Sequence, residues 1–318
     1  MQGKTFLDRR QHPAGTKLAC RATYSACDQY GGNAHLPSLI PLEQLFPAAV
    51  ARLERAGVEA PRREARLLAA HVMGRPEAAL LDSRVTIDEH AFEAAVRRRE
   101  AREPLAFIIG RRGFWSLDVG VSKATLIPRP DSEALIEAAM AHFGARNSVR
   151  DILDLGTGTG CLLLAALAEF PAALGLGVDI APAAAALAAR NARDCGLSAR
   201  ARFVAGSWAD SLAGWARFDL ILCNPPYIRT EDIGALMPEV AMHEPRRALD
   251  GGADGLQAYR TLLPAITRLL RAAGAAVLEI GQGQFRGVCT LAAAAGLAPT
   301  ACRDDLAGIP RALVLQRL

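Results

Sequence analysis

The chain has 318 residues, enough for one large domain or two modest ones, each with a real core. Hydrophobic residues make up 51% and charged residues 22%, a globular balance that excludes wholesale disorder, and apolar stretches such as Cys161–Ala168 are too short to span a bilayer. The net charge is +4, but residues 1–38 set five basic against two acidic side chains, so the remainder is nearly neutral and does not look like a coat for nucleic acid.

Residues 1–38 lack the apolar core of a secretory signal and read as a disordered extension. Pro47 opens a first helical run, with Val50 and Leu53 on one face, closed by Gly57. Pro61 opens a second, closed by Gly74, and a third begins near Asp88 with Phe92 and Val96 inward. Residues 39–103 are therefore expected to form a small helical bundle. Arg97, Arg98, Arg99, Arg102, Arg111 and Arg112, interrupted by Glu100 and Glu103, read as a solvated face. Residues 104–130 read as a hairpin linker, with strands at Phe107–Ile109, Phe114–Val121 and Thr125–Ile127 around Gly110, Gly113 and Gly120. Pro128-Arg129-Pro130 stops them, and Asp131 or Ser132 is placed to cap the next helix.

From 131 to 318 the pattern is that of an α/β domain. Strands are expected at Asp151–Leu155, Leu174–Asp179, Arg202–Ala205, Phe218–Cys223 and Ala276–Ile280, mostly with helices between, which predicts a parallel sheet covered on both faces. Leu297–Cys302 and Ala312–Leu318 have no helix between them and predict a terminal antiparallel pair. The seven cysteines are scattered without a CxxC pair, which fits a reducing, cytoplasmic setting and no bound metal.

Two segments carry chemistry. Asp154-Leu155-Gly156-Thr157-Gly158-Thr159-Gly160 follows a strand and opens a helix, and Asp179 ends the next strand, where a carboxylate can accept from ribose hydroxyls. The spacing is GxGxG rather than the GxGxxG of dinucleotide sites. Asp154 would repel a pyrophosphate and attract an ammonium or sulfonium, so S-adenosylmethionine fits better than NAD or FAD. Trp208, beyond the third strand, lies where an adenine would rest. The second segment, Asn224-Pro225-Pro226-Tyr227, follows a buried strand and points into the same crevice. Its prolines lack N–H groups, so it is dominated by acceptors: the Asn224 side-chain oxygen and the Pro225 carbonyl can take both hydrogens of a planar –NH2, with the Tyr227 ring stacked behind. These are the parts of a methyltransferase acting on an amide or exocyclic amine, with a glutamine side chain, adenine in DNA, and an amine in RNA all open as substrates.

From about Leu42 onward the sequence resembles the HemK-type release-factor glutamine methyltransferases. The likeness lies in Arg102-Glu103-Pro104-Leu105, Ile109-Gly110 and Phe114-Trp115. It continues in Ile127-Pro128-Arg129-Pro130-Asp131-Ser132-Glu133, where Ser132 replaces a usual threonine, and in His243-Glu244-Pro245. Ala248–Gly252, Asp254–Leu256 and Leu278–Gly281 with Gln284 complete it. The resemblance implies a Rossmann-like S-adenosylmethionine methyltransferase sheet with a helical docking domain. It implies S-adenosylmethionine at Gly156, Thr157, Gly158, Thr159, Gly160, Asp179, Trp208 and Asn224, beside the Asp154 already read from its charge, and S-adenosylhomocysteine as product. It also implies a substrate glutamine held by Asn224, Pro225, Pro226 and Tyr227, with catalysis by Asn224, Pro225 and Tyr227. The partner implied is a class I peptide chain release factor carrying a GGQ motif, with no membrane and no stable nucleic-acid binding; a ribosomal-protein glutamine is the nearest rival substrate. Ser207 stands where many members have an acidic residue.

Overall fold

The computed structural model describes residues 38–81, 85–145, 147–212, 217–305 and 307–318, so the amino-terminal extension expected at 1–38 lies, but for Ser38, outside the described residues. The chain opens with β1 (Leu39–Pro41), α1 (Leu42–Arg55), α2 (Pro61–Met73), β2 (Thr86–Asp88), α3 (Glu89–Glu100) and α4 (Leu105–Ile109). Leu42, Leu53, Leu68, Ile87, Phe92, Val96 and Ile108 form one buried cluster between these elements. Pro61 stands at the first turn of α2, Gly74 closes it at φ 59°, and Asp88 caps α3 by accepting from the Ala91 N–H at 3.2 Å. Pro47, expected to open α1, lies within it. Burying Leu42 draws the helix start back, at the cost of the one bond that Pro47 cannot donate.

The expected strand at Phe107–Ile109 is helix α4, and the helical layer therefore continues beyond Glu103. Its five residues are too few to show a period. Pro104 before it and Gly110 after it, at φ 78°, bracket a single turn that delivers Ile108 to the bundle core. The single strand expected at Phe114–Val121 is instead broken by a turn at Trp115-Ser116: the hairpin consists of β3 (Arg111–Phe114) and β4 (Leu117–Gly120), so its first strand lies earlier than the pattern indicated. Thr125–Ile127 is not a strand, because the Ile127 N–H goes to the Glu244 side chain, 3.2 Å from Oε2, rather than to a neighbouring strand.

The remaining elements are α5 (Glu133–Phe143), β5 (Asp151–Leu155), α6 (Cys161–Glu169), β6 (Leu174–Asp179), α7 (Pro182–Asp194), β7 (Ala201–Ala205), β8 (Phe218–Cys223), α8 (Pro238–His243), α9 (Gln257–Leu269), β9 (Leu270–Glu279), α10 (Phe285–Ala294), β10 (Leu297–Asp304) and β11 (Pro310–Arg317). They build a seven-stranded sheet in the order β10-β11-β9-β8-β5-β6-β7. Strands β5 to β9 run parallel, and the terminal hairpin inserts β11 antiparallel between β9 and β10. Along β8 the side chains alternate: Leu220 and Leu222 face α5, α6 and the hairpin, whereas Ile221 and Cys223 face α9 and α10. From Leu220 to Cys223 the run is apolar because both faces are covered.

The arginine stretch is not simply solvated. Arg102, held at φ 63°, donates through Nε and Nη2 to both oxygens of Glu239 on α8, each at 2.7 Å, and through Nη1 to the Ala56 and Gly57 carbonyls. Buried Arg99 bridges Glu64 at 2.5 Å and Glu239 at 2.9 Å. One acidic residue of the segment after β8 thus ties the helical bundle to the sheet domain. Burial alone would push the Glu239 carboxyl up, but hydrogen bonds from Arg102 and Arg99 outweigh it and hold it at about 2. The stability it contributes is complete above the ordinary carboxylate range near 4.5 and is lost as pH falls toward 2. Glu239→Gln is expected to cost about 3 kcal/mol at neutral pH, since Arg102 loses its carboxylate partner and Arg99 is left with Glu64 alone. Thermal melts from pH 7 to 2 should show the gap between variant and wild type closing below about pH 4.

Candidate active site

At the carboxyl ends of β5 and β8, where the strand order reverses, lies a cavity of about 300 Å³. Of the residues expected to form a site, Gly156, Thr157, Gly158, Thr159, Asp179, Trp208, Asn224 and Pro226 line it. Asp154, Gly160, Pro225 and Tyr227 do not.

The glycine loop is shaped by close contacts. Gly156 sits at φ 76°, and a Cβ there would come within 3.2 Å of the Trp208 ring. Gly160, at φ 81°, begins α6 against Ala188 and Phe203. Gly177 in β6 leaves room for Thr157 and Phe203, which a Cβ would meet at 2.7 and 2.5 Å. Asn191, on α7 and fully buried, donates to the Thr159 carbonyl at 2.8 Å and exchanges two bonds with Gly120, so it locks the loop to the hairpin. Nothing in its position on an alanine-rich helix marked it out beforehand.

Two carboxylates flank the loop. Asp179 accepts from the Gly158 N–H at 2.8 Å and the Ala181 N–H at 2.9 Å, which fixes its plane at the cavity edge and leaves further lone pairs free. Asp154 lies beneath the loop. It accepts from the Thr157 hydroxyl at 2.6 Å, while its other oxygen, Oδ1, is buried without a hydrogen-bond partner. Burial pushes its carboxyl up to about 7.

Asn224 follows β8 directly, at the opposite wall. Its Nδ2 donates to Ser132 Oγ at 3.0 Å, and Ser132 in turn donates to Glu279 Oε2 at 2.5 Å. Ser132, expected as a helix cap, makes no capping bond with its side chain, because the hydroxyl is spent on this chain. Tyr227 turns its hydroxyl to the other oxygen of Glu279, at 3.0 Å, rather than into the cavity. Its backbone is clasped by glycines: a Cβ on Gly251 would lie 2.8 Å from Tyr227 Cα, and one on Gly255 would lie 2.5 Å from the Tyr227 oxygen. Gln284 Nε2 donates to that same oxygen at 2.9 Å. On the remaining wall Glu244 holds the 127–129 turn, accepting from the Ile127 N–H and from Arg129 at 2.5 Å, and Arg247 donates to the Ala124 carbonyl at 2.8 Å. In the sequence Glu244 and Glu279 stand out only as members of motifs and Ser132 as a helix cap; what singles them out is burial together with polar partners from distant segments.

The PrmC N-terminal domain family matches residues 44–110 and a methyltransferase domain family matches 152–243. The catalytic domain of hMettl16, solved in complex with the MAT2A 3′UTR hairpin 6, shares the sheet fold: TM-score 0.52, 16% identity, 70% of this chain and 81% of that one. Release factor glutamine methyltransferase of Rhodospirillum rubrum is 52% identical over 287 residues, 88% of this chain and 86% of that protein. The enzyme of the same name from Cereibacter sphaeroides is 45% identical over 275 residues, 85% and 96% of the two chains. With likeness of that degree across both the bundle and the sheet, the chain belongs to the release factor glutamine methyltransferase family.

Proposed function

We propose that this protein methylates the side-chain amide nitrogen of the glutamine in the GGQ motif of class I peptide chain release factors, with S-adenosylmethionine as donor. The observation that carries the reading is the orientation of Asn224: its nitrogen is committed to Ser132, which leaves its oxygen as an acceptor at the cavity wall.

The cavity suits S-adenosylmethionine. The orphaned Oδ1 of Asp154 places unbalanced negative character beneath the glycine loop, a match for an ammonium or sulfonium. Asp179 would take the ribose hydroxyls, Trp208 the adenine face, and Gly156–Gly160 the aminoacyl end. When bound, the group supplies an electrophilic methyl.

The protein's own work is on the nitrogen. An amide nitrogen is a poor nucleophile because its lone pair is delocalised into the carbonyl, so catalysis rests on holding it in line and dry. The Asn224 oxygen would accept one of its hydrogens and the carbonyl of Pro225, which sits between the lining residues Asn224 and Pro226, the other; those bonds strengthen as the nitrogen turns positive, which favours the transition state over the ground state. No strong base is needed, because the N–H acidifies as it is methylated. Pro226 stiffens the turn, and Tyr227, anchored on Glu279, supports the carboxamide plane from beyond the cavity wall. The helical bundle, joined to the segment after β8 by Glu239, is the docking surface for the release factor.

Tritium from labelled S-adenosylmethionine should enter a purified release factor and fail to enter one whose GGQ glutamine is alanine; no transfer to the intact factor at saturating donor overturns the proposal. Asn224→Ala is expected to lower kcat about 10²-fold, as loss of a preorganised transition-state hydrogen bond does, with donor affinity nearly unchanged. Asp179→Ala should do the reverse. Because the buried Asp154 carboxyl is raised to about 7, a cation bound above it favours its ionised form, so S-adenosylhomocysteine should bind more tightly as pH rises from 6 to 8. Titration calorimetry should show that trend, and Asp154→Asn should abolish it; 5′-methylthioadenosine, lacking the ammonium, should not show it.

A further inference from the structure

Glu279 ends β9, is 1% exposed, and does not line the cavity. The reaction just described gives it no chemical step, yet two residues of the reacting wall converge on it. Oε2 takes the Ser132 hydroxyl and Oε1 takes the Tyr227 hydroxyl, while its main-chain oxygen takes the hydroxyl of buried Tyr259 at 2.8 Å. Ser132 comes from the turn before α5, Tyr227 from the turn after β8, and Glu279 from β9, so the three meet only in the folded sheet.

The direction of these bonds follows from what each group can do. Burial pushes the Glu279 carboxyl up, while the hydroxyls of Ser132 and Tyr227 and the nearby Arg311 favour its ionised form; in that form it only accepts, so both hydroxyl hydrogens point to Glu279. Ser132 Oγ, its hydrogen spent, has only lone pairs to offer Asn224, and Asn224 must meet it with Nδ2. The carboxamide oxygen is then the atom left for the substrate. A neutral amide at position 279 would carry hydrogens of its own. Donating one to Ser132 Oγ would free the serine hydrogen to turn toward Asn224, and Asn224 would present oxygen to Ser132 and its –NH2 to the substrate –NH2. Two donors would then face each other, each without an acceptor.

We propose that Glu279 is a positioning residue for the methyl transfer: through the Ser132 hydroxyl it sets which end of the Asn224 carboxamide meets the substrate, and so selects an –NH2 over a carboxylate. The inference rests on Asn224 acting as acceptor for the substrate glutamine. The selection is for glutamine against glutamate, because an acceptor aimed at a substrate carboxylate oxygen would meet no hydrogen.

The test uses the full-length enzyme and an intact release factor. Glu279→Gln is expected to lower kcat about 10²-fold while leaving S-adenosylhomocysteine affinity within about twofold. It should also narrow, by about tenfold, the binding preference for the release factor with GGQ over the same factor with GGE, a ratio that general loosening of the fold would not move selectively. Ser132→Ala should lower turnover, and Ser132→Thr, which returns a hydroxyl, should recover most of it. If Glu279 acts through Ser132, adding Glu279→Gln to Ser132→Ala should cost less than about threefold more. Wild-type turnover and GGQ preference in Glu279→Gln overturn the proposal, as do losses that multiply in the double variant. Should Glu279→Gln not fold, equal turnover in Ser132→Ala and Ser132→Thr overturns it independently. Asn224→Ala separates the two layers: if it keeps turnover, the acceptor role fails and this inference with it; if it loses turnover while Glu279→Gln does not, only the relay fails.

Discussion

The register of β5 against β8 is the constraint from which the site follows. Leu155 pairs with Cys223, so the chain leaves the two strands side by side, at Gly156 on one and Asn224 on the other. Because β5 is also the partner of β6, whose last residue is Asp179, three strand ends deliver a glycine loop, a carboxylate and a carboxamide to one crevice. Slipping the pairing by one residue would turn Leu220 and Leu222 to the other face of the sheet, and the two packed helical layers forbid it.

Around that frame the protein spends its glycines where backbones must touch. Gly251 and Gly255 let the 250–256 loop lie on the backbone of Tyr227, and the Gly251 N–H donates to the Ile228 carbonyl at 2.7 Å. Gly177 makes space under the glycine loop for Thr157. The prolines of the Asn224–Tyr227 turn remove internal freedom, and the neighbouring loops remove what is left. Under the function proposed above, a pocket held so tightly would need little reorganisation as charge develops within it.

Buried ionic groups join the layers. Glu239 draws Arg99 and Arg102 onto the segment that follows the Asn224–Tyr227 turn, and Glu244 in the same segment clamps Arg129 beside the cavity. Movement of the helical bundle relative to the sheet would pull directly on the reacting wall. The helical bundle and the cavity wall are therefore tied through one segment.

Much of this was legible in the chain itself. The alternation of strand and helix, the GxGxG loop, Asp179 at a strand tip and the acceptor-rich Asn-Pro-Pro-Tyr turn are local signals, because periodicity, glycine conformation and the missing N–H of proline act within a few residues. Those signals were enough for the fold class and for the presence of Gly156, Asp179, Trp208 and Asn224 at one cavity. They failed at Phe107–Ile109, too short to show a period, and at Thr125–Ile127, whose backbone partner is a side chain more than a hundred residues away. They gave no sign that the Tyr227 hydroxyl is held by Glu279. The Ser132, Asn224, Tyr227 and Glu279 chain, like the Glu239 clamp, could be decided only by the tertiary structure. The direction of a hydrogen bond and the charge of a buried carboxylate depend on which distant groups surround them, and no spacing along the sequence encodes that neighbourhood.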